Sequence, residues 1–328
     1  MVRIIEVGPR DGLQNEAASI PTTSKLAFVR ALLESGLREI EVTSFVSPKW
    51  VPQLGDAAEL WPPLAELARE FGPRSVPVPP SDPAVKSWES EGGETPALAD
   101  EPLFSALIPN AKGLERALEV GVRRIAVFTA ASDSFTRKNI NMTIDESLAV
   151  FQDVIAAFRS VEPNGWVRGY VSTAFECPLE GRVLPSETVR VASRLAALGC
   201  DEISIGDTLG VAAPTEVRAL TRLLVSHIPK PQLAYHFHDT RGTAIANVAE
   251  ALEQGIMAFD SSAGGLGGCP YAPGAGGNVA TEDVVYFLER TGVPTGIDLR
   301  TLAQASLPIL EQLGRPVSAK AQRAVLSA

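Results

Sequence analysis

At 328 residues the chain can bury a core as one large or two modest domains, and with 45% hydrophobic and 21% charged residues it is composed like a folded soluble protein, not a disordered or fibrous one. Its 29 basic and 39 acidic side chains give a formal charge of −10 with no basic block, which argues against a nucleic-acid partner. No apolar run approaches the about 18 residues that a membrane span needs, so no membrane association is expected.

The N-terminus MVRIIEVGPRDG lacks a signal-peptide core and runs straight into the first expected strand, RIIEV (3–7), which is trailed by the helical stretch SKLAFVRALLESG (24–36). REIEV (38–42) follows and leads into an irregular region. SALIP (105–109) precedes KGLERALEVG (112–121), and RRIAVF (123–128) precedes IDESLAVFQDVIAAF (144–158). VRGYVST (167–173) leads to PSETVRVASRLAALG (185–199), and EISIG (202–206) to PTEVRALTRLLVSHI (214–228). LAYHFH (233–238) comes before GTAIANVAEALEQG (242–255), and MAFDSS (257–262) before ATEDVVYFLERTG (280–292).

Glycines 36, 121, 199, 255 and 292 mark the helix ends. Repeated strand–helix units call for parallel strands, and eight of them fit a closed (β/α)8 TIM barrel, which usually takes about 250 residues. An open doubly wound sheet is the rival, but GPRDGLQ stands where a dinucleotide-binding GxGxxG would follow the first strand. The barrel is therefore expected over 1–297. Residues 71–104, rich in proline, glycine and acid, read as an irregular insertion, and 298–328 as a C-terminal helix, DLRTLAQASLPILEQLG, with a tail, SAKAQRAVLSA, that need not be ordered.

A barrel of this kind carries its active site at the C-terminal strand ends. Arg10 and Asp11 follow the first strand, Glu41 ends the second, Asp207 follows the sixth, and His236 and His238 end the seventh. After the eighth comes GGLGGCPYAPGAGGN, which carries Cys269 and Asn278. Side chains alternate along a strand, so His236 and His238 point the same way. An isolated histidine is often a satisfied core residue, whereas this pair with Asp11 and Asn278 in reach reads as metal-ligating. Two imidazoles, a carboxylate and an amide oxygen suit Mg²⁺ or Mn²⁺ at an open site, with zinc as the rival.

The cysteines Cys177, Cys200 and Cys269 form no CxxC pair, which suits a reducing, cytoplasmic setting. Cys200 reads as core, and Cys177 is marked only by its place on the rim. Cys269 lies in a glycine-rich loop able to carry a thiol against a substrate carbon, and His227 reads as a partner for a helix C-terminus.

Six segments together resemble the 3-hydroxy-3-methylglutaryl-CoA lyase family: IIEVGPRDGLQNE (4–16), IEVTSFVSPKWVPQLGD (40–56), SDSFTRKNINMTIDES (132–147), ISIGDTLGVAAP (203–214), YHFHDTRGTAIANVAEAL (235–252) and DSSAGGLGGCPYAPGAGGNVATEDVVYFL (260–288). The resemblance spans residue 2 to about 297 apart from the insertion. It implies cleavage of the acyl-CoA to acetyl-CoA and acetoacetate, a divalent cation on Asp11, His236, His238 and Asn278, and a homodimer. It also implies that Arg10 stabilises the developing enolate oxygen and that Cys269 takes part in proton transfer. By the same resemblance Glu41 and Asp207 shape the site, with Asp207 near the hydroxyl proton, and Lys138 and Asn139 lie near the CoA end of the substrate. The chain departs from the family pattern in the 71–104 insertion and in Glu176 and Leu179 around the strand-5 Cys-Pro pair. A lyase for a longer 3-alkyl substrate, a condensing synthase for acetyl-CoA and a 2-oxo acid, and a non-catalytic binding protein are the alternatives.

Overall fold

A computed structural model describes residues 2–72, 101–268 and 277–328. Its strands are β1 (Arg3–Glu6), β2 (Glu39–Ser44), β3 (Leu103–Leu107), β4 (Arg124–Ala130), β5 (Trp166–Ser172), a hairpin of β6 (Glu176–Cys177) and β7 (Gly181–Arg182), then β8 (Glu202–Asp207), β9 (Leu233–Phe237) and β10 (Ala258–Ser261). Apart from the hairpin, the strands close into an eight-stranded barrel in the order β1-β10-β9-β8-β5-β4-β3-β2. Every pairing around it is parallel. The expected barrel is the observed one, and closure disposes of the open sheet.

Alternation sorts the two faces of each strand. On β9, Tyr235 and Phe237 stack at 5.0 Å, and the Tyr235 hydroxyl meets Thr221 Oγ1 at 2.7 Å on the outer helix α8 (Pro214–Leu224). His236, between them, turns inward. Expected reversals at Gly36, Gly121, Gly199, Gly255 and Gly292 all take positive φ, from 78° to 103°, which glycine adopts without a Cβ clash. No helix among the described residues is long and apolar enough to cross a membrane.

Three segments differ from the sequence expectation. The irregular stretch after β2 holds two short helices, α2 (Ala57–Leu60) and α3 (Leu64–Glu70). Between β4 and the long α6 (Ile144–Val161) lies an extra helix, α5 (Asp133–Ile140), whose N-cap Ser132 accepts the Phe135 N–H at 3.2 Å. The C-terminal helix is divided into α11 (Leu299–Ala305) and α12 (Leu307–Leu313), since Pro308 has no N–H to continue the ladder.

The tail is ordered as a further helix, α13 (Lys320–Leu326), packed on α11 and on α10 (Thr281–Arg290). Its Gln322 is fully buried and donates to Ala303 O at 2.9 Å and Ser306 Oγ at 2.8 Å. Hydrophobic periodicity in so short a segment did not reveal this, because a polar side chain makes the contact. Gln322→Ala leaves the buried Ala303 carbonyl without this donor and is expected to destabilise by about 1–3 kcal/mol, read as a lowered denaturation midpoint.

Candidate active site

At the end of β1 the chain winds into a tight turn, Gly8–Gly12, in which the Val7 carbonyl accepts the N–H groups of Arg10, Asp11 and Gly12 at 3.2, 2.7 and 3.1 Å. A Cβ on Gly12 would stand 2.9 Å from Ser262 Oγ and Leu266 Cβ, so the turn presses against the segment that leaves β10. That packing sets Arg10 and Asp11 over the mouth of the barrel. Arg10 is buried, donates from Nε to Glu41 Oε1, and donates from Nη1 to Asp11 Oδ1 at 2.6 Å. Its guanidinium lies 5.5 Å over the Tyr170 ring, whose hydroxyl donates to Glu41 Oε2 at 3.0 Å. Burial opposes the charge on Arg10, yet Glu41 and Asp11 outweigh burial and hold its pKa above the ordinary guanidinium value.

Across the rim, His236 Nδ1 meets Asp260 Oδ2 at 3.1 Å. Asp260 is its register partner on β10. A proton shared there leaves the His236 Nε2 lone pair facing outward, 3.2 Å from His238 Nε2 and 4.0 Å from Asp11 Oδ2. One ligand atom from each of Asp11, His236 and His238 lies within 4.8 Å of the others. Burial resists ionisation of Asp11, but the Arg10 charge beside it prevails and holds its carboxyl down at about 2.

His238 bridges to Asn278, whose amide Nδ2 donates to Asp11 Oδ2 at 2.9 Å and to Leu266 O at 3.0 Å. The buried Asn278 Oδ1 has no hydrogen-bond partner among the described residues. Two imidazole nitrogens within 3.2 Å, an ionised carboxylate and an orphaned amide oxygen are a donor set short of a positive centre. These four residues fit a divalent cation.

Beneath them the barrel lumen is ionic. The buried Arg168 pairs with Glu202 at 3.0 Å and with Asp260 at 2.6 Å, and it donates to the Tyr170 hydroxyl at 3.2 Å. Ser204 Oγ donates to Asp260 Oδ2 at 2.8 Å, while Arg3 closes the floor against Glu39 and Glu202. Asp260 thus orients His236 and is itself held by Arg168. Burial works against its ionisation, and Arg168 and His236 keep its pKa below the ordinary carboxylate value. Sequence analysis missed Arg168, Tyr170, Ser204 and Asp260. For the first three the signal was present, since the polar pairs Arg168 and Tyr170 in RGY and Glu202 and Ser204 in EIS are two apart and so share a strand face.

Of the other expected site residues, Asp207 adjoins the cluster through its backbone carbonyl, which accepts the His238 N–H at 3.3 Å. Asp207 is buried at the end of β8, and its two oxygens accept the N–H groups of Val211 at 3.0 Å and Ala212 at 2.9 Å. Burial raises its pKa. Lys138 and Asn139 are exposed at the end of α5. Cys200 is buried, with its thiol pushed up to about 12 by burial, and Cys177 is buried with Ser132 Oγ donating to its sulfur at 3.0 Å. His227 is exposed just beyond α8, and Glu176 and Leu179 are exposed in the hairpin region. Cys269 and most of the 71–104 insertion lie outside the described residues.

Fold and rim together define a class, a (β/α)8-barrel enzyme with a rim site built for a divalent cation. The profile of the HMGL-like family matches residues 90–309. A hydroxymethylglutaryl-CoA lyase of Pseudomonas mevalonii is 45% identical over 313 residues, covering 95% of this chain and 93% of its own. The crystal structure of hydroxymethylglutaryl-CoA lyase from Pseudomonas aeruginosa superposes with a TM-score of 0.85 at 42% identity, over 99% of this chain and 97% of the other. An HMG-CoA lyase of Acinetobacter baumannii, solved with coenzyme A and 3-methylmalate, superposes with a TM-score of 0.83 at 34% identity, over 99% and 95%. The chain belongs to the HMGL-like family.

Proposed function

We propose that this enzyme is a hydroxymethylglutaryl-CoA lyase, splitting 3-hydroxy-3-methylglutaryl-CoA into acetyl-CoA and acetoacetate. The observation that carries the reading is the juxtaposition of the Asp11–His236–His238–Asn278 cluster with the buried, fully charged Arg10. Cleavage between C2 and C3 requires that the C3 hydroxyl lose its proton while the bonding electrons pass to the thioester oxygen as an enolate. A proton then returns to C2, and C3 becomes the ketone of acetoacetate. Mg²⁺ or Mn²⁺ held by the four residues would supply Lewis acidity to the hydroxyl and carboxylate oxygens of the acyl group.

Arg10 acts on the thioester end. Its Nε and one N–H of Nη1 are committed to Glu41 and Asp11, so the guanidinium is already oriented while its remaining N–H groups can serve the oxygen as charge develops. Glu41 and Tyr170 hold that orientation, and Asp260 sets the tautomer of His236. The raised pKa of Asp207 is in the direction a general base needs, while its bonds to Val211 and Ala212 tie it to the loop after β8. In this reading Cys269 returns the proton to the enolate carbon, and Lys138 and Asn139 receive the CoA end. A homodimer in the cytoplasm is the proposed working form.

Comparing kcat/KM for this thioester and for longer 3-alkyl analogues, by acetyl-CoA release, tests the assignment. The methyl substrate is expected to lead. One extra methylene is worth only about 1–3 kcal/mol in an apolar pocket, so a preference of about tenfold for a longer analogue would move the enzyme to a neighbouring substrate. Condensation of acetyl-CoA with a 2-oxo acid, without cleavage, would replace the lyase by a synthase.

A further inference from the structure

Two buried carboxylates outside the ligand set grip the turn that follows β10. Glu6, the last residue of β1, receives the Ala263 N–H on both oxygens at 3.0 and 3.2 Å, the Gly8 N–H at 2.8 Å and the Thr281 hydroxyl at 2.6 Å. Glu282, in the first turn of α10, receives the next amide, Gly264 N–H, on its two oxygens at 3.0 and 2.9 Å. Consecutive amides of the Ala263–Gly265 turn are therefore held from two sides. Gly264 adopts φ 71°, a conformation that turns its amide to Glu282 and that a side chain would strain.

We propose that Glu6 and Glu282 form a carboxylate clamp that positions the Asn278 amide oxygen for the cation. The connection is short. Leu266, next to the clamped turn, accepts Asn278 Nδ2 through its carbonyl, and Ser262, preceding the turn, pairs with Val279 and Thr281. A Cβ on Gly267, two residues beyond the turn, would lie 2.5 Å from Asn278 Nδ2, so the segment leaving the turn is in direct contact with the amide. Through Gly8, Glu6 also reaches the turn that carries Asp11, and so ties the first ligand to the last. The clamp rests on the reading of Asp11, His236, His238 and Asn278 as cation ligands.

Charge matters to this grip, because a carboxylate accepts roughly twice as strongly as a neutral group. Burial pushes Glu6 up to about 7 and Glu282 up to about 8, against the donors that surround each of them. The charged groups facing Glu282 are Glu6 and Asp283, both acidic, and neither favours its ionisation. A raised carboxyl pKa means that the charge is lost as pH falls through that value. Glu282→Gln mimics the neutral acid at every pH, keeping one acceptor for Gly264.

Mn²⁺ titrations of the whole protein, followed by electron paramagnetic resonance, test the clamp. At pH 8.5 Glu6→Gln and Glu282→Gln are expected to weaken Mn²⁺ binding about 10- to 100-fold, the usual effect of losing a group that orients a ligand. The ratio of Glu282→Gln to wild type should then fall towards unity by pH 6.5, since protonation of the ligands themselves affects both proteins alike. Should the Gln variants not fold, Thr281→Val removes the hydroxyl that Glu6 accepts, which also meets Ser261 Oγ at 2.9 Å, and is expected to weaken binding about 3- to 10-fold, with Thr281→Ser restoring it. Variants that bind as tightly as wild type, or a ratio that does not change with pH, would overturn the clamp. A wild-type protein that binds no Mn²⁺ would instead overturn the cation site itself.

Discussion

Exhaustive chelation is expected to abolish acetyl-CoA release, and added Mg²⁺ or Mn²⁺ to restore it. Without a cation, the facing imidazole nitrogens, the ionised Asp11 and the orphaned Asn278 oxygen present only acceptors to a substrate that is itself an anion. His236→Ala and His238→Ala should each weaken metal binding and lower turnover by several orders of magnitude. His227→Ala, at an exposed position beyond α8, should do neither. Binding is read by titration with Mn²⁺ and activity by acetyl-CoA release. Full turnover after chelation would end the metal reading.

Arg10→Gln is expected to lower kcat by about 10²–10³ while changing substrate affinity much less, roughly 3–4 kcal/mol at the transition state. The reason lies in how the guanidinium is held. Glu41 and Asp11 fix two of its edges and Tyr170 lies under its face, so its charge is in place before an oxygen demands it. Glutamine keeps a donor but loses the charge, and it leaves the buried Glu41 without its cation. Rapid-quench kinetics with a separate substrate-binding measurement distinguishes the roles. A large affinity loss at unchanged kcat would make Arg10 an anchor and nothing more.

Much of the rim was legible because its residues are unusual where they stand. His236 and His238 are two residues apart at a strand end, and Arg10 and Asp11 follow a strand directly, so strand periodicity alone places them near one opening. The lumen network was not legible in the same way. Arg168, Glu202 and Asp260 come from three strands far apart in the chain, and an isolated arginine in VRGYVST carries no mark of its partners. Asp207 shows the opposite case, an acid placed correctly on the rim whose carboxylate is taken by two loop amides that no sequence pattern announces.

By itself the sequence determined the local periods: branched strands, amphipathic helices, glycine-terminated reversals, and hence the repeated unit and the end of the barrel that carries the chemistry. Tertiary structure alone decided which buried charges face one another, that the tail folds as α13 around a buried Gln322, and that Glu6 and Glu282 meet at one turn from opposite ends of the chain. The physical reason is that periodicity reports which face of an element avoids water, a property of neighbours in the chain. A buried charge is tolerated only through partners brought to it by closure of the barrel, and those partners here stand up to 275 residues away.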